Sequence, residues 1–345
     1  VEIKEFKEGV AFLAKLTNQR KAEPDPFMVQ VDASGKISLL AGSEQSTYIW
    51  RTGMTSDVGR MKAGVPSKSL VQLSKTLKGK FNVSLNVSEK SLLVETSEGG
   101  SMSVPFVEEP MLARPVSRGQ SVVIFKIDDI AGLAASIAAT TQPKAAWNDV
   151  QIEGNFLSST DSRKFFRRFI GGGFSLPRMT THRATFWEPL SAAKTDGEGR
   201  IFDEGIWILA GNYEAFTGFV AGANYPDMVG RVYPEGSALD NIAVMDRKVL
   251  IGSLKAVGPS VEISVFQKMI NLTDSTDRQV GLTAKQARGS SSIKFSSELM
   301  IDILSAMSGK EVIVAWKDDA RQPLRIADSA KQSDVFLLAP IWKAV

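Results

Sequence analysis

The sequence contains no cysteine and a single histidine, His182. The missing thiols exclude disulfides, thiol nucleophiles and thiolate metal sites, a composition that fits a reducing cytoplasm. One histidine leaves no cluster for zinc. Long apolar runs are missing too: nothing approaches the roughly 20 residues of a membrane span, and the N-terminus reads as a charged amphipathic stretch, not a basic-then-apolar leader. A soluble, unexported, cytoplasmic protein is expected. Charge of one sign is scarce, with 41 Lys and Arg against 38 Asp and Glu and a formal net charge of +3. A protein held to nucleic acid by its whole surface is thereby excluded, and any such role must come from charge gathered on one face.

Catalytic signatures are equally thin. A serine triad would need His182 as its base, yet His182 sits in Thr180-Thr181-His182-Arg183 and no Gly-x-Ser-x-Gly elbow occurs anywhere. Gly171-Gly172-Gly173 has no following Gly-Lys-Ser or Gly-Lys-Thr and runs into Leu176-Pro177, so it reads as a loop and not a phosphate cradle. The pairs Glu108-Glu109 and Asp318-Asp319 read as solvated turn charge. No catalytic residue, metal site or cofactor is expected.

What is present is an ordinary globular composition, 43% hydrophobic and 23% charged over 345 residues, enough for two or three domains of about 100 to 150 residues each. A whole supersecondary unit also recurs. Ser67 opens a run with Leu70, Val71, Leu73 and Leu77 at helical spacing, stopped by Gly79-Lys80; about 230 residues later Ser297 opens another, with Met300, Ile301, Ile303 and Met307, stopped by Gly309-Lys310. Each helix precedes three short runs of strand character: Phe81 to Leu85, Leu92 to Thr96 and Met102 to Phe106, then Val312 to Trp316, Leu324 to Ala327 and Val335 to Ala339. A helix with a three-stranded meander cannot bury both of its apolar faces alone, so the unit is expected stacked against others.

Three further helices read as domain openers: Ile3 to Leu16 with Phe6, Val10 and Leu13; Asp128 to Ala139 with Ile130, Leu133 and Ile137; Asp246 to Val257 with Val249, Leu250, Leu254 and Val257. Joints fall near Pro110 to Gln120 and Pro234 to Asp240. The expected organisation is three domains, 1–118, 119–238 and 239–345, each of two similar halves. In the middle one the second helix is expected over Glu188 to Thr195, closed by Asp196-Gly197, with a meander over Trp207 to Tyr225.

Several of these residues carry a resemblance. Val29-Gln30-Val31 with Gly35-Lys36-Ile37-Ser38-Leu39, Val65-Pro66-Ser67-Lys68, Trp147-Asn148-Asp149, Ser158 to Lys164, Tyr225-Pro226-Asp227 with Arg231-Val232, and the tail Phe336 to Ile341 together resemble the bacterial-type DNA polymerase III β sliding clamps over essentially the full length. The resemblance implies an α+β fold of three tandem clamp domains, each of two helix-plus-meander halves, closing as a head-to-tail homodimer into a ring around duplex DNA. Helices line the hole and sheets form the outside. It implies a non-enzymatic processivity factor with sequence-independent hold on DNA, partnered by a polymerase and a clamp loader. A weak phosphate attraction suits sliding, which the modest charge allows. The other classes weighed are a structural or assembly protein that reuses the repeat, and a hydrolase built on His182.

Carried over by residue, the DNA-facing cations are Arg20, Lys21, Lys68, Lys75, Lys78, Lys80, Lys144, Arg247, Lys248 and Lys255, while Glu298 and Asp302 on the last helix run against them. The client-peptide pocket is Trp147, Thr160, Ser162, Arg163, Lys164, Phe165, Pro226, Arg231, Val232, Leu338 and Ala339, suited to an extended ligand with apolar anchors. The subunit interface is Met102 and Val104 against Ala256 and Val257. Two departures stand out: Ser162 and Phe165 replace a usual Gly and Leu, and Pro226 to Val232 is one residue longer than the pattern. Both add bulk or length at the pocket and fit a phage-encoded or otherwise specialised clamp.

Overall fold

The computed structural model describes residues 3–16, 25–56, 59–76, 81–86, 90–96, 100–113, 123–141, 149–171, 176–191, 193, 195–220, 239–331 and 333–341. In chain order, α1 (Ile3–Leu16) precedes a meander of β1 (Phe27–Val31), β2 (Lys36–Gly42) and β3 (Ser46–Thr55), and β4 (Met61–Val65) leads into α2 (Ser67–Thr76). The next meander is β5 (Phe81–Asn86), β6 (Ser91–Thr96) and β7 (Ser101–Pro105), with β8 (Val123–Ile127) leading into α3 (Ile130–Ala139). Then come β9 (Val150–Gly154), β10 (Phe156–Thr160), β11 (Lys164–Phe169) and β12 (Leu176–Thr181), a π-helical turn (Arg183–Trp187) and α4 (Glu188–Leu190). β13 (Gly197–Phe202), β14 (Gly205–Ala210) and β15 (Tyr213–Gly218) follow, and β16 (Asn241–Asp246) enters α5 (Arg247–Ala256). The last segments are β17 (Ser260–Phe266), β18 (Met269–Asp274), β19 (Gln279–Thr283), β20 (Gln286–Arg288) and β21 (Ser292–Ser296), then α6 (Ser297–Ala306) with β22 (Glu311–Trp316), β23 (Leu324–Asp328) and β24 (Asp334–Leu338). Helix plus meander thus recurs six times among the described residues.

The chain folds as two compact units, Val1–Ile130 with Ala184–Phe219, and Ala131–Arg183 with Val220–Val345. The first holds an eight-stranded sheet, β4-β1-β2-β3-β15-β14-β13-β8, and the three-stranded β5-β6-β7. The second holds a nine-stranded sheet, β12-β9-β10-β11-β24-β23-β22-β16-β20, and the four-stranded β19-β18-β17-β21. Each large sheet joins segments far apart in sequence at one antiparallel junction, β3 with β15 in one unit and β11 with β24 in the other.

Helices form where an apolar stripe meets a capping side chain. Asp246 accepts the Val249 amide at 3.0 Å and opens α5, and Ser296 accepts the Leu299 amide at 3.4 Å and opens α6. The expected faces are buried at Phe6, Val10 and Leu13 in α1, Leu70 and Leu73 in α2, Ile130, Leu133 and Ile137 in α3, Leu250 and Leu254 in α5, and Met300 and Ile303 in α6. Val249 departs from its expected place: 55% exposed, it lies on the wet side of α5. Leu77 lies outside the described residues.

The recurring unit has the expected strands in both copies but different surroundings. β22 pairs with β16 and β24 with β11, whereas β5 and β7 have only β6 beside them among the described residues.

The fourth segment differs from its expectation. Helix Glu188 to Thr195 shrinks to α4, preceded by the π-helical turn that buries Phe186 and Trp187. The Tyr48 hydroxyl, donating to the carbonyls of Thr185 and Phe186, holds that turn. The meander begins at Gly197, earlier than Trp207. Its first strand reads as a turn because it carries two glycines, but packing requires them: a Cβ on Gly199 would lie 2.1 Å from the Phe125 ring. The Gly171-Gly172-Gly173 stretch falls largely outside the described residues.

Candidate functional site

The β10–β11 turn is the centre of the expected client pocket. Asp161 organises it: Oδ1 accepts the amides of Arg163 at 2.9 Å and Lys164 at 2.7 Å, while the Thr160 hydroxyl donates to the Lys164 carbonyl at 2.7 Å. Ser162 sits at φ 74°, the left-handed region that favours glycine. Ser162 and Arg163 are exposed at the tip. Changing Ser162 to Gly relieves a left-handed cost of about 1–2 kcal/mol but adds roughly 0.5–1 kcal/mol of chain entropy. A net gain of about 0.5 kcal/mol is expected from that difference, read as a higher urea midpoint at unchanged m.

Strand alternation then sorts the pocket residues. Phe165, opposite Leu337 in the ladder, forms a small apolar cluster with it, against which Leu239 and Val335 pack. Leu338 pairs with Lys164, one position along, and so belongs to the other face, fully buried. Leu337, and not Leu338, therefore accompanies Phe165. The sequence signal that finds it is period two counted from Phe165 across the ladder. The Ala339 amide donates to the Arg163 carbonyl at 2.9 Å, extending the junction to the turn.

Lys164 does not share the cluster of Phe165. Its side chain is 4% exposed, and its ammonium lies 3.1 Å from Asp302 on α6 and 3.7 Å from Asp161. Asp302, expected to repel phosphate, is thus paired within the protein. Farther along β11, Phe166 packs on Phe336 at 4.9 Å and Arg168 binds Asp334 in a two-pronged pair at 2.7 and 2.6 Å. Trp147, Pro226, Arg231 and Val232 lie outside the described residues.

Of the expected cations, Lys68 and Lys75 are exposed on α2, and Lys248 and Lys255 on α5. Arg247 is used differently. Its guanidinium donates to the Gly309 carbonyl at 2.7 Å and the Leu304 carbonyl at 2.9 Å, capping the end of α6, where positive charge is favoured. Arg20, Lys21, Lys78, Lys80 and Lys144 lie outside the described residues.

At the expected subunit interface, Met102 is 45% exposed on β7 and Ala256 is exposed, while Val104 and Val257 are buried within the chain itself. Asp274 builds the edge beside Val257. Its buried carboxylate accepts the Thr276 hydroxyl at 2.7 Å, the amides of Thr276, Arg278 and Gly258, and Arg278 Nε at 2.8 Å. The Thr276 hydroxyl and these amides hold the carboxyl well below its ordinary value of 3.8, against the opposing effect of burial. Because the folded state favours the ionised form, the stabilisation is complete above the ordinary value and disappears as pH falls through the lower folded value. Asp274→Asn is therefore expected to lower Tm by several degrees at pH 7. The gap to the unaltered protein should narrow steadily below about pH 4 in thermal melts.

His182 follows β12, with Nδ1 3.8 Å from an Asp149 carboxylate oxygen. No described group of three or more His, Asp or Glu could hold a metal ion. Among the described residues no helix is long and apolar enough to cross a membrane.

No protein-family model matches the sequence, and no curated protein is similar to it. Solved structures are similar in fold. The DNA polymerase III β subunit of Thermotoga maritima is 17% identical with a TM-score of 0.75, covering 100% of this chain and 99% of the other. The DNA polymerase sliding clamp of Bacillus subtilis is 14% identical with a TM-score of 0.76, over 100% and 98%. The β subunit of Borrelia burgdorferi is 12% identical with a TM-score of 0.78, over 100% and 99%. Over its full length, at low sequence identity, the chain has the fold of the bacterial DNA polymerase III β sliding clamps.

Proposed function

We propose that this chain is a DNA sliding clamp, a non-catalytic processivity factor organised as domains 1–118, 119–238 and 239–345. Two copies close head to tail around duplex DNA, present α2 and α5 lysines to the phosphates, and tether a polymerase at the β10–β11 turn. A separate loader opens the ring.

One observation carries the reading. The third strand of a meander joins the last strand of another at β3–β15 and again at β11–β24. The same two roles are left over in β19, which pairs only with β18, and β7, which pairs only with β6, among the described residues. A second copy supplies the missing match, β19 of one to β7 of the other, so that the third strand of every meander is paired across a junction. A heterologous contact repeated by rotation is what a ring requires.

Light scattering at micromolar concentration should give a dimer. After loading on nicked circular DNA, the protein should be retained through gel filtration and released when the circle is cut. A strict monomer, or retention indifferent to linearisation, overturns the proposal and leaves a structural protein built on the same repeat.

A further inference from the structure

One face of the eight-stranded sheet carries α1, where Phe12 packs on Trp50. Ile49, the preceding residue, therefore lies on the other face. There it belongs to a row of ladder partners, Gly64, Met28, Leu40 and Ile49, running across β4, β1, β2 and β3. Segment 107–113 crosses this row as a strap pinned at both ends. The Val107 amide donates to the Gly64 carbonyl at 2.9 Å, the Ala113 amide to the Ser43 carbonyl at 2.7 Å, and the Thr47 hydroxyl to the Ala113 carbonyl at 2.6 Å. Gly64 is required beneath it: a Cβ there would lie 2.3 Å from the Glu108 carbonyl oxygen.

Between strap and row lies a cavity of about 560 Å³, floored by Met28, Leu40, Ile49 and Trp207. Gln30 and Lys62, opposite each other on the ladder, line one end and Thr47 the other. Solvent reaches it, since Ile49 is only partly buried, Lys62 is exposed and Met111 on the strap is 74% exposed. The side chains of Gln30, Lys62 and Glu109 and the main chain of residues 108–112 make no hydrogen bond among the described residues. No turn or bend interrupts that stretch. An open main chain beside an apolar floor is the setting in which an extended peptide binds, its backbone pairing and its alternate side chains filling pockets.

The second unit repeats the first anchor. Val220 donates to the Thr180 carbonyl of β12 at 2.9 Å, as Val107 does to β4, and β12 flanks β9 as β4 flanks β1. In sequence, Pro110-Met111-Leu112-Ala113-Arg114 and Pro226-Asp227-Met228-Val229-Gly230-Arg231 share an order of Pro, Met, apolar, small and Arg. The turns entering β3 and β11 also match, Ser43 N–H to Ser46 O at 2.8 Å and Asp161 N–H to Lys164 O at 3.2 Å, which aligns Thr47 with Phe165. The cavity thus has the place in the first unit that the client pocket is expected to have in the second. That comparison rests on the clamp reading; the cavity, its floor and its strap do not.

We propose that strap and floor form a docking site for an extended peptide, separate from the β10–β11 turn. Alternate apolar side chains of the peptide fill the floor, its main chain pairs with the strap, and a carboxylate beyond the apolar pair meets Lys62. Glu109, on the strap, opposes an acid there. The volume lies within the usual range of about 300–1,000 Å³ for a ligand site.

The test uses the full chain isotope-labelled at its methionine methyls and the probe peptide acetyl-Gly-Leu-Ser-Phe-Ser-Asp-amide. Leu, Phe and Asp fall on one side of this peptide when it is extended. The Met28 and Met111 lines, assigned by Met28→Leu and Met111→Leu, should shift saturably in NMR titrations. Lys62→Glu, at an exposed position, should fold as the parent and weaken binding about fivefold, and a probe with Lys in place of Asp should recover the loss. A probe with Ser in place of Leu and Phe should not bind. Met28 and Met111 lines fixed up to about 1 mM probe, or shifts confined to methionines of the second unit, overturn the site. Binding indifferent to Lys62→Glu overturns it as well, and phenylbutyrate binding as tightly as the peptide would make it a small-molecule site instead. Dimer formation and retention on circular DNA are separate readouts, so failure here is distinguishable from failure of the clamp reading.

Discussion

Lys164→Ala is expected to destabilise the protein by about 3 kcal/mol or more. The ammonium is buried between Asp161 and Asp302, and removing one member of a buried ion pair leaves the other charged and dry. The two carboxylates do not contribute equally. Asp302 is 55% exposed and can recover water, so its loss of a partner costs little. Asp161 is 1% exposed, and its Oδ2 has no hydrogen-bond donor among the described residues. Oδ1 keeps the Arg163 and Lys164 amides, so the turn should persist while Oδ2 bears the deficit. Lys164→Met with Asp161→Asn should recover most of the loss, since neither side chain is then charged. Urea unfolding of the single and double variants measures this directly. A cost below about 1 kcal/mol for Lys164→Ala would mean that water already solvates Asp161.

Replacing Lys68, Lys75, Lys248 and Lys255 together by alanine should nearly abolish affinity for duplex DNA while preserving the fold. All four ammonium groups are on exposed helix positions, where substitution costs little stability. Each cation that neutralises a phosphate contributes about 0.9 to the slope of log affinity against log salt. Four such contacts amount to about 3.6, which at 0.1 M salt corresponds to a loss of three to four orders of magnitude relative to 1 M. Anisotropy of a labelled duplex across a salt series gives both numbers. Arg247→Ala separates the roles, because its guanidinium caps α6: stability should fall and the salt slope should stay. Equal slopes for the quadruple variant and the parent would remove α2 and α5 from the DNA surface.

Much of the fold was legible because its periodicities are local. Helix α1 has the bounds read from Phe6, Val10 and Leu13, and the strands after Ser67 and Ser297 begin and end within a residue or so of the expected runs. The middle of the chain was not legible for an equally physical reason. β13 is laddered between β8 and β14 despite two glycines, over which Phe125 and Ile130 lie, and the π-helical turn is held by Tyr48, more than a hundred residues earlier in sequence. Propensity yields to such contacts.

The candidate pocket divides along the same line. The resemblance singled out Thr160 to Phe165 and the replacement of a usual glycine by Ser162, whereas the turn and its left-handed backbone at Ser162 came with the structure. Which of Leu337 and Leu338 meets Phe165 depends on a ladder between segments about 170 residues apart, where a slip of one position exchanges the two faces. The pairing of Lys164 with Asp302 depends on the same ladder and on the packing of α6.

By itself, the sequence determined the recurring helix and meander, the exclusion of thiol chemistry and the low net charge, because composition and local periodicity need no partner. Only the tertiary structure decided which lysines stay on the surface, that Arg247 caps a helix, and that Lys164 is buried against Asp161 and Asp302. Those outcomes turn on burial and on what lies opposite, and neither is a property of a residue's neighbours in the chain.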